Sequence, residues 1–375
     1  MAAIGPKRLI GYGALALLWL LVPLYLQDAT LNTLSYCAVF AIGSIGLTLL
    51  TGYAGQVSLA QPFFMGVGAY TAAWLSTEHG LPFLVFAPAA IVLGGLLGAA
   101  AGAVATRLQG SELAVITLGL LVFGDYLFNE VVGITGGENG TSAADADLAI
   151  GPLNFEEIGG FTRDQSLFWA LWALVALIAW LASNVARRRP GRAMIAVRDG
   201  ARAAEAIGVD VRMAKIKVFT LASAMGAFCG VLYAGLQQYV TPVDFDIFAA
   251  ILFAAMIIIG GVDRIAGAIL GAIIVWGGQQ WVSEQADSSL LSGIMKTTDG
   301  DSGVITVGAF NTLVFGLLIV LVLTFEPQGL LGLWSRLKAR VAGRRRPAPA
   351  LAGQQPEVVD TTPAEPVGTE EGSIR

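Results

Sequence analysis

Residues 31–76 read LNTLSYCAVFAIGSIGLTLLTGYAGQVSLAQPFFMGVGAYTAAWLS. Two apolar runs, Leu31–Leu50 and Val57–Ser76, are joined through the polar, glycine-containing stretch Thr51–Pro62. A helix needs about 20 mostly apolar residues to cross a hydrocarbon core about 30 Å thick, since each residue advances the axis by about 1.5 Å. Both runs reach that length and neither carries a charge. The joining stretch differs in kind. Pro62 interrupts helical hydrogen bonding, while Gln56, Ser58 and Gln61 bring uncharged donors and acceptors. Non-helical backbone is tolerated at membrane depth only where protein or a water-filled cavity satisfies it. Two readings follow. Either this is a broken or re-entrant helix whose Gln56, Ser58 and Gln61 line a translocation pathway for a small polar or zwitterionic solute, or it is a cytoplasmic turn followed by a complete helix.

The same alternation of apolar runs and short polar connectors extends over most of the chain. Ten spans are expected: Leu9–Leu26, Leu31–Leu50, Val57–Ser76, Phe83–Ala105, Leu113–Ile134, Leu167–Ala186, Val218–Gln238, Ile247–Gly261, Ile265–Ser283 and Val304–Phe325. The fold class is therefore all-α, a polytopic membrane protein of about ten transmembrane helices. Composition agrees, with 55% hydrophobic and 13% charged residues, against about 25% charged in a soluble domain. Lys7 and Arg8 precede the first run, but no small-x-small cleavage site follows it, so it is read as a retained span rather than a cleaved signal.

With the N-terminus inside, ten crossings return the C-terminus to the cytoplasm. Inside then fall Lys7, Arg8, Arg107, the nine basic residues from Arg187 to Lys217, Arg264 and the seven from Arg336 to Arg375. Of all 22 lysines and arginines, only Arg163 and Lys296 lie outside, which satisfies the positive-inside rule. Acids collect on the external side instead, at Glu138, Asp145, Asp147, Glu156, Glu157 and Asp164, and at Glu284, Asp287, Asp299 and Asp301. Those loops are either solvated connectors or a surface for an extracytoplasmic partner. Residues 1–332 thus form the membrane domain. Residues 333–375 read as a cytoplasmic, largely disordered tail, because the stretch after Arg346, with Pro, Glu, Thr and few large apolar residues, buries too little surface to offset the entropy of ordering.

Several chemistries are excluded. Cys37 and Cys229 sit inside apolar runs, and His79 stands alone in a connector, so no metal site is expected. None of Lys7, Lys215, Lys217, Lys296 or Lys338 follows a glycine, so the P-loop pattern is missing and ATP is not bound by that route. No nucleophile–base constellation is present, and no cofactor is expected. A net charge of −5 argues against a nucleic-acid partner. Ionisable residues within the spans are confined to Asp125 and Glu130, near the outer end of the fifth, which gives little support to a proton- or sodium-driven mechanism. Small-x-x-x-small pairs at Gly94/Gly98/Gly102, Gly226/Gly230 and Gly267/Gly271 predict close helix crossings.

The longest internal loop, Arg187–Lys217, is patterned. Ala193–Ile207 is alanine-rich and reads as one or two short helices, with Gly208 placed as a C-terminal cap. Ala203, Ala204 and Ile207 share a helical face, flanked by Arg198, Arg202 and Glu205. Such a face suits a groove on a soluble partner; alternatively the arginines anchor the loop to anionic membrane lipid.

Four blocks in order carry a family resemblance: Gly52-Tyr53-Ala54-Gly55-Gln56-Val57-Ser58-Leu59 with Phe63 to Tyr70; Thr135-Gly136-Gly137-Glu138-Asn139-Gly140; Gly191-Arg192 through Ala203-Ala204-Glu205-Ala206-Ile207-Gly208; and Gly260-Gly261 with Gly267 to Gly271, closed by Pro327-Gln328-Gly329-Leu330. The chain resembles the LivM-type permeases of branched-chain amino-acid ABC importers, over about Leu31 to Gly332. The resemblance implies a type II-like importer permease of a bacterial plasma membrane. It would work with a second homologous permease, two ABC ATPase subunits and an extracytoplasmic solute-binding protein that delivers a small amino acid. The segment Arg198–Gly208 would dock on an ATPase, and Gln56–Gln61 would line the pathway. The chain departs from the family's pattern at Ala60-Gln61, Val122, Asp125 and Gly200-Ala201, which bears on the substrate more than on the architecture. Relatives that carry urea, amides or other amino acids remain an alternative, as does a stand-alone secondary transporter.

Overall fold

The structure is a computed structural model. It describes residues 19–285, except 109, 151–152 and 155–160, together with 295–296, 305–306 and scattered positions between 313 and 332. All of them belong to the larger of the two compact units into which the chain divides, Met1–Trp334. The start of the first expected span, most of the last one, Glu156, Glu157 and the tail from 333 lie outside the described residues.

The chain forms α1 (Asp28–Thr48), continued by a π turn at Leu49–Tyr53, then α2 (Gln61–Thr77), α3 (Phe83–Ala105), α4 (Ser111–Glu130) and α5 (Arg163–Arg187). After these come α6 (Arg189–Ala206), α7 (Val211–Gln237), α8 (Ile247–Gly260) and α9 (Ile265–Ala272), the last continued by a π turn at Ile273–Gly277 into α10 (Gly278–Gln285). Strand is limited to two-residue pairs. Thr141–Ser142 pairs antiparallel with Tyr239–Val240, Ala149–Ile150 with Leu153–Asn154, and Met295–Lys296 runs parallel to Ile305–Thr306.

Seven stretches of the described residues are long and apolar enough to cross a membrane, against the ten expected. The third expected span accounts for part of the difference. It starts at Gln61 rather than Val57 and is 17 residues long, about 25 Å at the helical rise. Gly55 has a left-handed φ of 67°, and the amides of the next residues bond elsewhere than to a helix: Leu59 N–H donates to Thr117 Oγ1 (3.1 Å) and Ala60 N–H to Ser58 Oγ (3.3 Å). The fifth span also ends early, at Glu130, where Val131 (ψ 60°) leaves the helical region before a single turn at Val132–Thr135.

The expected loop Arg187–Lys217 is mostly helix. Asp210 caps α7 by accepting from Met213 N–H (2.9 Å), so α7 begins at Val211, two turns before the apolar run at Val218. Lys215 on that extension is buried along its stem, and its ammonium donates to the Leu108 carbonyl at the end of α3 (3.2 Å).

Contacts define two ends of the bundle. At one, Lys215 meets Leu108 and Arg198 meets Gly52 and Asp263. At the other, Thr77 Oγ1 donates to the Ser142 carbonyl, Thr162 Oγ1 to Asp28, and Tyr239 to the Asn139 carbonyl. Consecutive long helices, α1 to α5 and α7 to α9, therefore alternate in direction between these ends, as the sequence reading requires.

The glycine stripes mark the crossings. Gly94, Gly98 and Gly102 of α3 face Ala227, Ser223 and Phe219 of α7, and Gly271 of α9 faces the Met256 carbonyl of α8. Between α2 and α7 the approach is close from both sides, where a Cβ at Gly230 would lie 1.8 Å from the Met65 carbonyl and one at Gly68 1.9 Å from that of Ala227. Backbone cannot yield as a flexible side chain can. Gly230→Leu is expected to destabilise the bundle by at least about 2 kcal/mol, read as a lower unfolding temperature in detergent. Gly119→Ala, where a Cβ meets nothing within 4 Å, should leave that temperature unchanged.

Candidate translocation and coupling site

The connector between α1 and α2 is built by its backbone. The π turn ends with Ala54 N–H donating to the Leu49 carbonyl and Gly55 N–H to that of Thr51, after which Gln56 N–H returns to Leu50 (3.1 Å). Thr51 Oγ1 closes the loop by donating to the Gln56 carbonyl (3.2 Å). From Gly55 to Ala60 the chain is non-helical, and burial alternates: Gln56, Ser58 and Ala60 point inward while Gly55 and Val57 are exposed. The polar side chains are thus placed inside the bundle by a non-helical backbone along which buried and exposed residues alternate.

The three residues expected to line a pathway differ in their commitments. Gln61 Nε2 donates to the Gly43 carbonyl of α1 (2.9 Å), fixing the start of α2 against α1. Ser58 Oγ accepts from Ala60 N–H. Gln56 is only 4% exposed, and neither its amide oxygen nor its nitrogen has a hydrogen-bond partner among the described residues. Burying such a group unpaired costs about 1–3 kcal/mol by mutational measures. It is therefore the polar group of this segment with unused capacity for a solute. An apolar cavity of about 280 Å³ elsewhere, between Phe83, Leu171, Leu174, Phe228 and Leu232, offers a zwitterion nothing to bond.

Helix α6 lies across the arginine-rich end. It is broken at Gly200 (φ 174°, ψ 100°) into an inner segment up to Asp199 and an outer one, Ala201–Ala206. The outer segment folds back: Val209 N–H donates to the Ala204 carbonyl (3.0 Å), and Gly208, at φ 83°, makes the left-handed turn. This elbow closes on Val197, Ala204 and Val211. The single face expected for Ala203, Ala204 and Ile207 is consequently split. Ala204 is buried (2% exposed) within the chain's own elbow, whereas Ile207 is 77% exposed and Arg202, Ala203, Glu205 and Gly208 accompany it outside. A helical wheel assumes a helix that runs on, whereas this one ends at Ala206 and the turn at Gly208 brings Val209 and Val211 back over Ala204, leaving Ile207 outside.

Arg198, though partly exposed, bonds back onto the chain. Its Nη1 donates to the Gly52 carbonyl and to Asp263 Oδ1 (3.0 Å) in the turn between α8 and α9, and its Nε to Asp199 Oδ1 (3.3 Å). Sequence reading missed Asp263 and Thr117 altogether. Asp263 carried a signal, a lone acid between two apolar runs; Thr117 carried none, because a threonine inside a span is unremarkable until its hydroxyl is seen accepting from Leu59 N–H. Among the described residues no cluster of His, Cys, Asp or Glu could hold a metal ion.

A many-helix membrane body, a buried polar connector and a surface helix tied to it define a transport subunit. A family model for the permease component of branched-chain amino acid transport systems matches residues 29–323. The chain belongs to that family. It is 27% identical to the high-affinity branched-chain amino acid transport system permease protein LivM of Escherichia coli, over 86% of this chain and 74% of that one. It is 24% identical to the probable branched-chain amino acid transport permease protein LivH of Methanocaldococcus jannaschii, over 81% and 92%. The ribose import permease protein RbsC of Haemophilus influenzae is 24% identical over 66% and 75%. No solved structure matches. The chain is a multi-pass permease subunit of an ABC transporter and is not itself an enzyme.

Ala204 and Ile207 make a decisive pair. Ala204→Glu should lower the unfolding temperature by forcing a charge into the elbow, while Ile207→Glu should leave stability within about 0.5 kcal/mol of the parent. Gln56→Leu, by removing an unpaired buried amide, should raise stability by about 1 kcal/mol; denaturant titration in detergent checks all three.

Proposed function

We propose that this permease imports branched-chain or similarly small amino acids into the cytoplasm, driven by ATP hydrolysed in two separate ABC ATPase subunits. It pairs with a second homologous permease and receives solute from an extracytoplasmic binding protein. The observation that carries the reading is a permease chain whose arginine-rich end presents an exposed Ile207, Ala203 and Arg202 beside a rigid elbow. An exposed isoleucine at a helix end rimmed by charge is the form of a contact awaiting an apolar groove. Both termini and α6 lie on the cytoplasmic side in this reading, because the lysines and arginines concentrate there.

The solute class follows from the connector. Gln56 provides a neutral donor and acceptor without a hydrogen-bond partner among the described residues, which suits a small polar or zwitterionic solute held only in passing. The likeness to LivM and LivH, whose names give branched-chain amino acid transport, supports amino acids over urea or amides. The domain division goes with it: residues 1–332 work in the membrane and 333–375 form a cytoplasmic tail.

Uptake of radiolabelled leucine into proteoliposomes holding the full assembly should require internal ATP and persist when the proton gradient is collapsed. Uptake by the purified chain alone, without ATP, would instead identify a secondary transporter. Ile207→Glu should abolish co-purification of the ATPases while membrane abundance of the chain is unchanged. Gln56→Leu should reduce uptake several-fold with the ATPases still bound.

A further inference from the structure

Three backbone segments from distant parts of the sequence meet at the arginine-rich end with no slack between them. A Cβ at Gly52 would lie 1.9 Å from the Val262 carbonyl, so the π turn of α1 touches the turn between α8 and α9. A Cβ at Gly55, where φ is 67°, would lie 2.7 Å from Arg198 Cγ and 3.4 Å from Arg198 Cα, so the inner segment of α6 is seated flush against the start of the connector. The guanidinium then bonds across the junction, to the Gly52 carbonyl on one side and to Asp263 on the other. The carbonyls at a helix C-terminus lack intrahelical partners and carry the negative end of the dipole. A planar guanidinium can serve such a carbonyl and a carboxylate together, which the single point charge of an ammonium does less well.

We propose that Arg198 is the positioning residue that transmits movement of α6 to the translocation connector, and is not itself a docking contact. The inference rests on the functional reading above and deepens it. The outer segment carrying Ile207 receives force, the Val197–Ala204–Val211 packing passes it to the inner segment, and Arg198 converts it into displacement of Gly52. From Gly52 the path to the unpaired Gln56 amide is short and stiff, because Thr51 Oγ1 and the Leu50 carbonyl both bond the Gln56 backbone. The side chain of Arg198 is 36% exposed on this chain, and its donors are directed at acceptors within the chain rather than at the exposed surface of Ile207.

The test uses the complete assembly in proteoliposomes, with Ser58→Cys introduced as a reporter; Cys37 and Cys229 are buried. Labelling of the reporter by a maleimide is measured with and without ATP. With Arg198 present, ATP should change the labelling rate several-fold. Arg198→Met should keep the ATPases bound and hydrolysing ATP yet abolish that change. Arg198→Lys should restore part of it, and Asp263→Asn, which takes the charge from one of the two cross-junction arms and so weakens it, should give an intermediate loss. Retention of the full ATP response in both Arg198→Met and Asp263→Asn would overturn the proposal. So would loss of the ATPases from Arg198→Met at normal membrane abundance, which would make Arg198 a docking contact. If Arg198→Met does not accumulate, Arg198→Lys and Asp263→Asn decide the matter by the same readout. Failure of the Arg198-containing assembly to bind ATPases would instead overturn the functional reading, and the proposal with it.

Discussion

In lipid, helices gain little from burying apolar side chains against one another, since acyl chains are as apolar as leucine; bundles hold where backbones approach closely. Here that constraint centres on α7. Gly230 and Ala227 admit α2 to backbone contact, and Ala227, Ser223 and Phe219 receive the glycine stripe of α3. Everything functional is referenced to this crossing. The start of α2 is set by it, and Gln61 then ties that start to the Gly43 carbonyl of α1. The connector between α1 and α2 is consequently held at both ends by rigid helices, although it has no regular structure of its own.

That rigidity lets the connector keep an unfavourable group. An unpaired buried amide is ordinarily eliminated, because a leucine in its place is cheaper. Gln56 persists where its own backbone is bonded on both sides, to Leu50 and Thr51, and where Leu59, three residues on, is tied to Thr117. In the proposed pathway, a site that binds a solute only in passing would need this combination of fixed backbone and unspent side-chain polarity. Local stability is given up at one side chain, and the surrounding hydrogen bonds keep the loss from spreading.

How much was legible beforehand differs by region. The order and direction of the helices from α1 to α9 followed from apolar run length and from the placement of arginines, both local properties. The glycine spacing named the faces that would cross, and each stripe does meet another helix, though not which helix. The connector's polar residues were legible as a group but not individually: Gln61 and Gln56 look alike in sequence, and only the position of the Gly43 carbonyl separates a tied amide from a spare one. In α6 the error was geometric. Ala203, Ala204 and Ile207 fall on one side of an ideal helix, but the helix ends at Ala206 and the chain after Gly208 folds back over Ala204.

The amino-acid sequence by itself determined that this is a multi-pass helical membrane protein, because the cost of unbonded backbone in lipid leaves long apolar helices as the solution for runs of this length and composition. It also determined which end of the bundle is basic. The tertiary structure alone decided the meeting of Gly52, Arg198 and Asp263. These residues are far apart in the chain, and no periodicity connects them. Their contact depends on how the α1, α6 and α8–α9 ends are brought together by helix crossings elsewhere, a sum of packing distances that no local pattern encodes.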